Sequence, residues 1–103
     1  MPRRSRDWDA GLARDLRDPA FAREFLRASL DEGIPLQRAL AKAIRTIGVK
    51  EFAARVRMAS PNVLRAIHPR HRPTPETLNK LLRPFGFRVT LTLTEIPTGR
   101  RAA

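Results

Sequence analysis

Apolar residues along this chain recur first with a helical period and then with a period of two. Asp18-Pro19 places an N-cap residue before a proline at the first helical position, and Phe21, Phe25, Leu26 and Leu30 follow at helical spacing until Gly33. Pro35 opens the clearest amphipathic helix, with Leu36, Ala39, Leu40, Ala43, Ile44 and Ile47 on one stripe and Gly48 just past its end. The spacing predicts a short helix over about 49–57 with Phe52, Ala53 and Val56 inward, and another over about 60–67 with Val63, Leu64 and Ile67 inward. His68 to Pro73 is polar and holds two prolines, so it reads as a loop. Thr74-Pro75-Glu76 starts a fifth helix, whose stripe of Leu78, Leu81, Leu82 and Phe85 stops at Gly86. Beyond it Phe87, Val89, Leu91 and Leu93 alternate with Arg88, Thr90, Thr92 and Thr94, the pattern of a half-buried strand over 87–96.

The predicted fold is therefore mainly α. It has an N-terminal arm over 1–17, a helical domain over 18–86, one C-terminal strand over 87–96 and a disordered tail over 97–103. A lone strand would leave backbone N–H and C=O groups unpaired beside buried side chains, which is costly. Asp7 to Ala13 is a poor mate, because Asp7, Asp9 and Gly11 disfavour strands. The same strand of a second copy is the better one, so Phe87, Val89, Leu91 and Leu93 are expected to form a dimer strand in a homodimer.

A length of 103 residues suits one domain with one core and leaves no room for a second, catalytic one. With 42% hydrophobic residues the chain is expected to fold unaided. Lys+Arg is 21 against Asp+Glu 10, a net charge of +11 that attracts polyanions. The excess is local. Residues 7–41 hold five Arg against seven acids, whereas 42–72 hold eight Lys or Arg (Lys42, Arg45, Lys50, Arg55, Arg57, Arg65, Arg70, Arg72) against Glu51 alone.

Several chemistries are excluded by what the sequence holds. There is no cysteine, which removes disulfides, thiol nucleophiles and cysteine-bound zinc and fits a reducing cytosol. Met1 to Arg6 has no apolar run behind its arginines, and no stretch approaches the roughly 18 apolar residues of a membrane span, so a cytoplasmic protein without a membrane partner is expected. The carboxylates show no paired spacing, and neither tyrosine nor a Gly-rich phosphate loop is present, so no enzyme, cofactor or small-molecule substrate is expected. His68 and His71 flank a proline with no third ligand nearby and read as loop or phosphate-contacting residues rather than zinc ligands. Trp8, between Asp7 and Asp9, reads as a hydrophobic clasp onto the helices, with partner docking as the alternative.

Two short helices, a tight turn, a loop and a further helix are the order of a helix-turn-helix unit, here over 49–67, in which the second helix enters the major groove of DNA. Ala53 supplies the small residue at the crossing, Met58 plugs the core from the turn, and Val56, Val63 and Ile67 pack the angle. Ser60, Asn62 and Arg65 on the polar side of the second helix are the candidate base contacts, since Asn suits adenine edges and Arg suits guanine N7 and O6. Lys50, Arg55, Arg57, His68, Arg70 and Arg72 are the candidate phosphate contacts.

The run from Gly48 to Pro69 and the run from Arg72 to Gly86 resemble the lambda-repressor-like helix-turn-helix proteins of the XRE/Cro type. More narrowly they are similar to the HigA-like addiction-module antidote proteins, a likeness that covers residues 18–93. Asp18-Pro19, Leu36 to Leu40 and Pro73 to Leu78 match the family's lead-in and follow-up segments. The resemblance implies a five-helix repressor binding a palindromic operator in double-stranded DNA, autoregulating its operon as the antitoxin of a type II pair and neutralising a small ribonuclease toxin. A stand-alone repressor without a toxin is the alternative, and a protein-binding module with an acidic partner is a third. Two positions depart from the family. Arg57 stands where its turn usually has Gly, a position that favours positive φ, so the turn must be accommodated differently or at some strain. Ala59 replaces the usual Ser cap, at about 1 kcal/mol unless Ser60 takes over.

Overall fold

The computed structural model describes residues 10–97, and their architecture is mainly helical. Helix α1 covers residues 10–16, followed by α2 (Pro19–Asp31), α3 (Leu36–Ile47), α4 (Val49–Val56), α5 (Ser60–Ile67) and α6 (Pro75–Leu82), with a 3-10 turn at Arg83–Phe85. The boundaries follow local chemistry. The Asp18 carboxylate accepts the Ala20 N–H at 3.2 Å to cap α2, and the Thr74 hydroxyl accepts the Thr77 N–H at 3.1 Å to cap α6. Gly48 joins α3 to α4 with no intervening residue at φ +117°, a conformation that L side chains rarely adopt.

One apolar cluster gathers side chains from every helix. Leu16, Leu26, Leu40, Ile44, Phe52, Val63, Leu81, Leu82 and Phe85 are fully buried. The Phe52 and Phe85 rings meet at 6.1 Å between centroids, tilted by 35°, and so join α4 to the 3-10 turn. None of the described helices is long and apolar enough to cross a membrane.

Four expectations require correction. The arm over 1–17 contains α1, because Leu12 and Leu16, one turn apart, give residues 10–16 an apolar side, and Leu16 is completely buried. Trp8 and the tail beyond Pro97 lie outside the described residues. Phe21 and Leu30 of α2 are exposed, because the core takes the face carrying Ala22, Leu26 and Ser29. Leu64 of α5 is also exposed, at 41%, because its neighbours Val63, Ala66 and Ile67 already fill the inward side.

The fourth concerns residues 87–97, which form no strand in the single chain. No other described segment is a strand, so a ladder has no mate, and α2 and α6 take the first residues instead. The Phe87 N–H donates to the Leu82 carbonyl at 3.3 Å, and the Arg23 and Arg27 guanidinium carbons each lie 5.6 Å from the Phe87 ring centroid. The Val89 N–H donates to Asn79 Oδ1 at 2.7 Å. Phe87 and Val89 therefore pack partly on the core, whereas Leu91, Leu93 and Ile96 stand open to solvent.

Arg17, just after α1, grips Glu51 in the first turn of α4 through Nε–Oε2 at 2.7 Å and Nη2–Oε1 at 2.9 Å. This two-pronged geometry suits a carboxylate, and Glu51 also sits at the positive end of the α4 dipole. Both side chains are about half exposed, which limits the strength of the pair. The Arg17 hydrogen bond holds the Glu51 carboxyl below its ordinary range, against slight desolvation and with added attraction from Arg17 and Arg55. Because the folded-state value lies below the unfolded one, the contribution is complete above the ordinary carboxylate range and is lost as pH falls through the folded value. Urea midpoints of the wild type and Glu51→Gln should therefore differ at neutral pH and converge in acid. A gap that persists undiminished at the acid end would assign the effect to something other than this ion pair.

Candidate nucleic-acid interface

The basic surface is built around the connection between α4 and α5, which takes only Arg57, Met58 and Ala59. Arg57 lies at φ +59°, ψ +46°, the one left-handed non-glycine among the described residues. Its N–H donates to the Ala54 carbonyl at 3.3 Å and the Met58 N–H to the Ala53 carbonyl at 2.9 Å, which is a Schellman helix ending. The chain uses the same pair of bonds at Gly33, with Ile34 donating to Ser29, and at Gly86, with Phe87 donating to Leu82. Those two ends have glycine, whereas this one forces an arginine into a conformation that costs an L residue roughly 1–2 kcal/mol. Met58 then packs partly against the core, plugging the turn.

Helix α5 begins without a side-chain cap. Ala59 is the N-cap, and its carbonyl accepts the Asn62 N–H at 2.9 Å and the Val63 N–H at 3.1 Å. Ser60 is already the first helical residue and does not take over as cap. Pro61 eases the loss by removing one N–H that would otherwise lack a partner. With Val63, Ala66 and Ile67 inward, the helix turns Pro61, Asn62, Leu64 and Arg65 outward.

Asn62 and Arg65, three residues apart, line one groove together with Arg57, His71 and Lys80. Ser60 is half-buried and does not line it. A second cleft adjoins the first, lined by Arg55, Arg57, Lys80 and Arg83, so Arg57 and Lys80 belong to both. Neither cleft contains a carboxylate, and none of these cations is ion-paired among the described residues. Of the other predicted phosphate contacts, Lys50 stands exposed in the first turn of α4, apart from this groove. Arg70 and Arg72 are exposed on the loop after α5, where His68 Nδ1 accepts the Arg70 N–H at 3.1 Å. No three His, Asp or Glu among the described residues cluster to hold a metal ion.

The pattern of the sequence did not single out Lys80, Arg83 or Gln37. The two cations were readable in principle, since α6 buries Leu81 and Leu82 and must turn Lys80 outward. Gln37 carried no signal. Its Nε2 lies 2.7 Å from the Ala66 carbonyl, 2.8 Å from that of His68 and 2.9 Å from that of His71, its two hydrogens shared among the three, so one amide on α3 ties down the end of α5 and the loop beyond it.

No protein-family model, curated protein or solved structure matches this chain. The likeness to the antidote proteins rests on the residue runs quoted above.

Replacing Arg57 with glycine removes the left-handed penalty but adds freedom to the unfolded chain. The net expectation is a gain of about 0.5–1 kcal/mol in stability, read as a raised denaturation midpoint. A lowered midpoint would mean that the Arg57 side chain itself holds the turn together.

Proposed function

We propose that this protein is a sequence-specific DNA-binding repressor of the lambda-repressor-like helix-turn-helix kind, with α4 and α5 as the motif and α5 as the reading helix. One observation carries this reading. The outward side of α5 presents Asn62 and Arg65 in a carboxylate-free basic groove flanked by Arg57, His71 and Lys80. Asn and Arg are the side chains best suited to paired hydrogen bonds with adenine and guanine edges, and unpaired cations around them suit the phosphates on either side. The resemblance to addiction-module antidotes supports placing the repressor in a toxin–antitoxin pair, with a small ribonuclease as partner.

The reading includes a homodimer. Leu91, Leu93 and Ile96 are open to solvent on a segment whose backbone has no partner beyond Val89 among the described residues, and a second copy of that segment supplies both backbone bonds and apolar cover. A two-fold pair would set two reading helices about one DNA turn apart, roughly 34–36 Å, over a palindromic site.

Two experiments follow. Arg65→Ala should lose about 1–3 kcal/mol of affinity for the operator selected from random duplexes, with the fold intact by circular dichroism. Unchanged affinity in a folded variant removes Arg65 from the reading set. Truncation after Val89 keeps the contacts of Phe87 and Val89 but removes the pairing segment, so light scattering should report a monomer. A dimer that survives the truncation places the interface elsewhere.

A further inference from the structure

Phosphate binding is expected from α4, the turn and the loop after α5, but the cations of the two clefts also include Lys80 from α6 and Arg83 from the 3-10 turn that follows it. Lys80 shares one groove with Asn62 and Arg65, and it shares the adjoining cleft with Arg55, Arg57 and Arg83. The two clefts form one tract from the reading face of α5, across the left-handed turn, to the end of α6. Like charges this close repel one another, and neither cleft holds a carboxylate; Glu51 lends Arg55 some attraction, whereas Arg57, Lys80 and Arg83 have no ion-pair partner among the described residues. By contrast Arg17, just after α1, and Arg27 of α2 have Glu51 and Glu24 within 4 Å. A set of cations with no carboxylate among them in a concave surface suits a polyanion that runs along it.

We infer that Lys80 and Arg83, with Arg55 and Arg57, bind the sugar–phosphate backbone of duplex DNA beside the bases that α5 reads. This rests on the DNA-binding reading and assigns its flanking contact to α6. The ligand is the phosphodiester chain of a duplex rather than a single strand. Single strands are held by stacking bases on exposed aromatic rings; the one exposed phenylalanine among the described residues, Phe21, sits on α2, outside the tract, and the half-buried His71 is the single aromatic ring lining it. The strain at Arg57 fits the same role, since a left-handed glycine would cost less but bring no charge to the point shared by both clefts.

The test compares the full chain with Lys80→Gln/Arg83→Gln and with Arg38→Gln/Lys42→Gln. The second pair removes the same charge from a separate groove lined by Phe25 and Ile34. Affinity for a labelled duplex of mixed sequence is measured across a salt series, with thermal unfolding to check each fold. The inference expects the slope of log affinity against log salt to fall by about two units for Lys80→Gln/Arg83→Gln, at about 0.9 per phosphate contact, and by much less for the control. Binding should weaken equally for all duplex sequences. Wild-type binding with an unchanged slope in the α6 variant overturns the inference and leaves the DNA reading standing, as does an equal loss in both variants, which would reflect net charge alone. Tighter binding to a single strand than to the duplex overturns the choice of ligand. A wild type that binds no duplex at low salt overturns the DNA reading and the inference together. Should the double variant fail to fold, Lys80→Gln alone is read in the same way, with a fall of about one unit expected.

Discussion

The geometry of the basic surface depends on one backbone constraint, the reversal of the chain between α4 and α5 in three residues. The two bonds of the Schellman ending close that reversal, and they require a positive φ at Arg57. With the turn closed, Val63 and Ile67 meet the core beside Phe52 and Ala53, and the opposite side of α5 must face outward. The strain is local, and the burial of Phe52 and Val63, both completely enclosed, is what holds the residue in place.

The far end of α5 is held differently. Its C-terminal carbonyls cannot all be satisfied within an eight-residue helix, and Gln37 reaches across from α3 to three acceptors in succession. The side chain thereby couples the best-formed amphipathic helix to the orientation of the loop carrying His68, Arg70 and Arg72. At the other side, Arg17 ties the end of α1 to the first turn of α4 through Glu51. This pairing joins the single acid of the 42–72 segment to an arginine from the acidic third of the chain.

The C-terminal segment shows how a strand pattern and a strand differ. Alternation of Phe87, Val89, Leu91 and Leu93 with polar residues encodes two faces, yet a strand exists only where another backbone accepts its bonds. Within one chain Asn79 and Leu82 take the first two N–H groups and Arg23 and Arg27 cover the first ring. The pattern survives as an apolar edge from Leu91 onward.

Most of the helical skeleton was legible in the sequence, because its signals are local. Asp18 and Thr74 as caps, the glycines closing α2 and α3, and the stripe from Leu36 to Ile47 act within a few residues and fixed the helices from 18 to 85 nearly to the residue. At Arg57 the resemblance pointed to a position that favours positive φ, and of the two outcomes left open, a different turn or a strained one, the structure has the strained one. Leu64 was misjudged because apolarity alone does not say which side of a short helix faces inward, and α1 was missed because two leucines in a charged stretch give a weak period until a core exists to bury them. Tertiary structure alone decided that Asn62 and Arg65 line the groove while Ser60 does not, that Gln37 holds the loop, and that α6 and the 3-10 turn after it bring Lys80 and Arg83 beside Arg55 and Arg57. These are contacts between residues distant in sequence, set by how helices pack, and no local pattern of charge or apolarity encodes them.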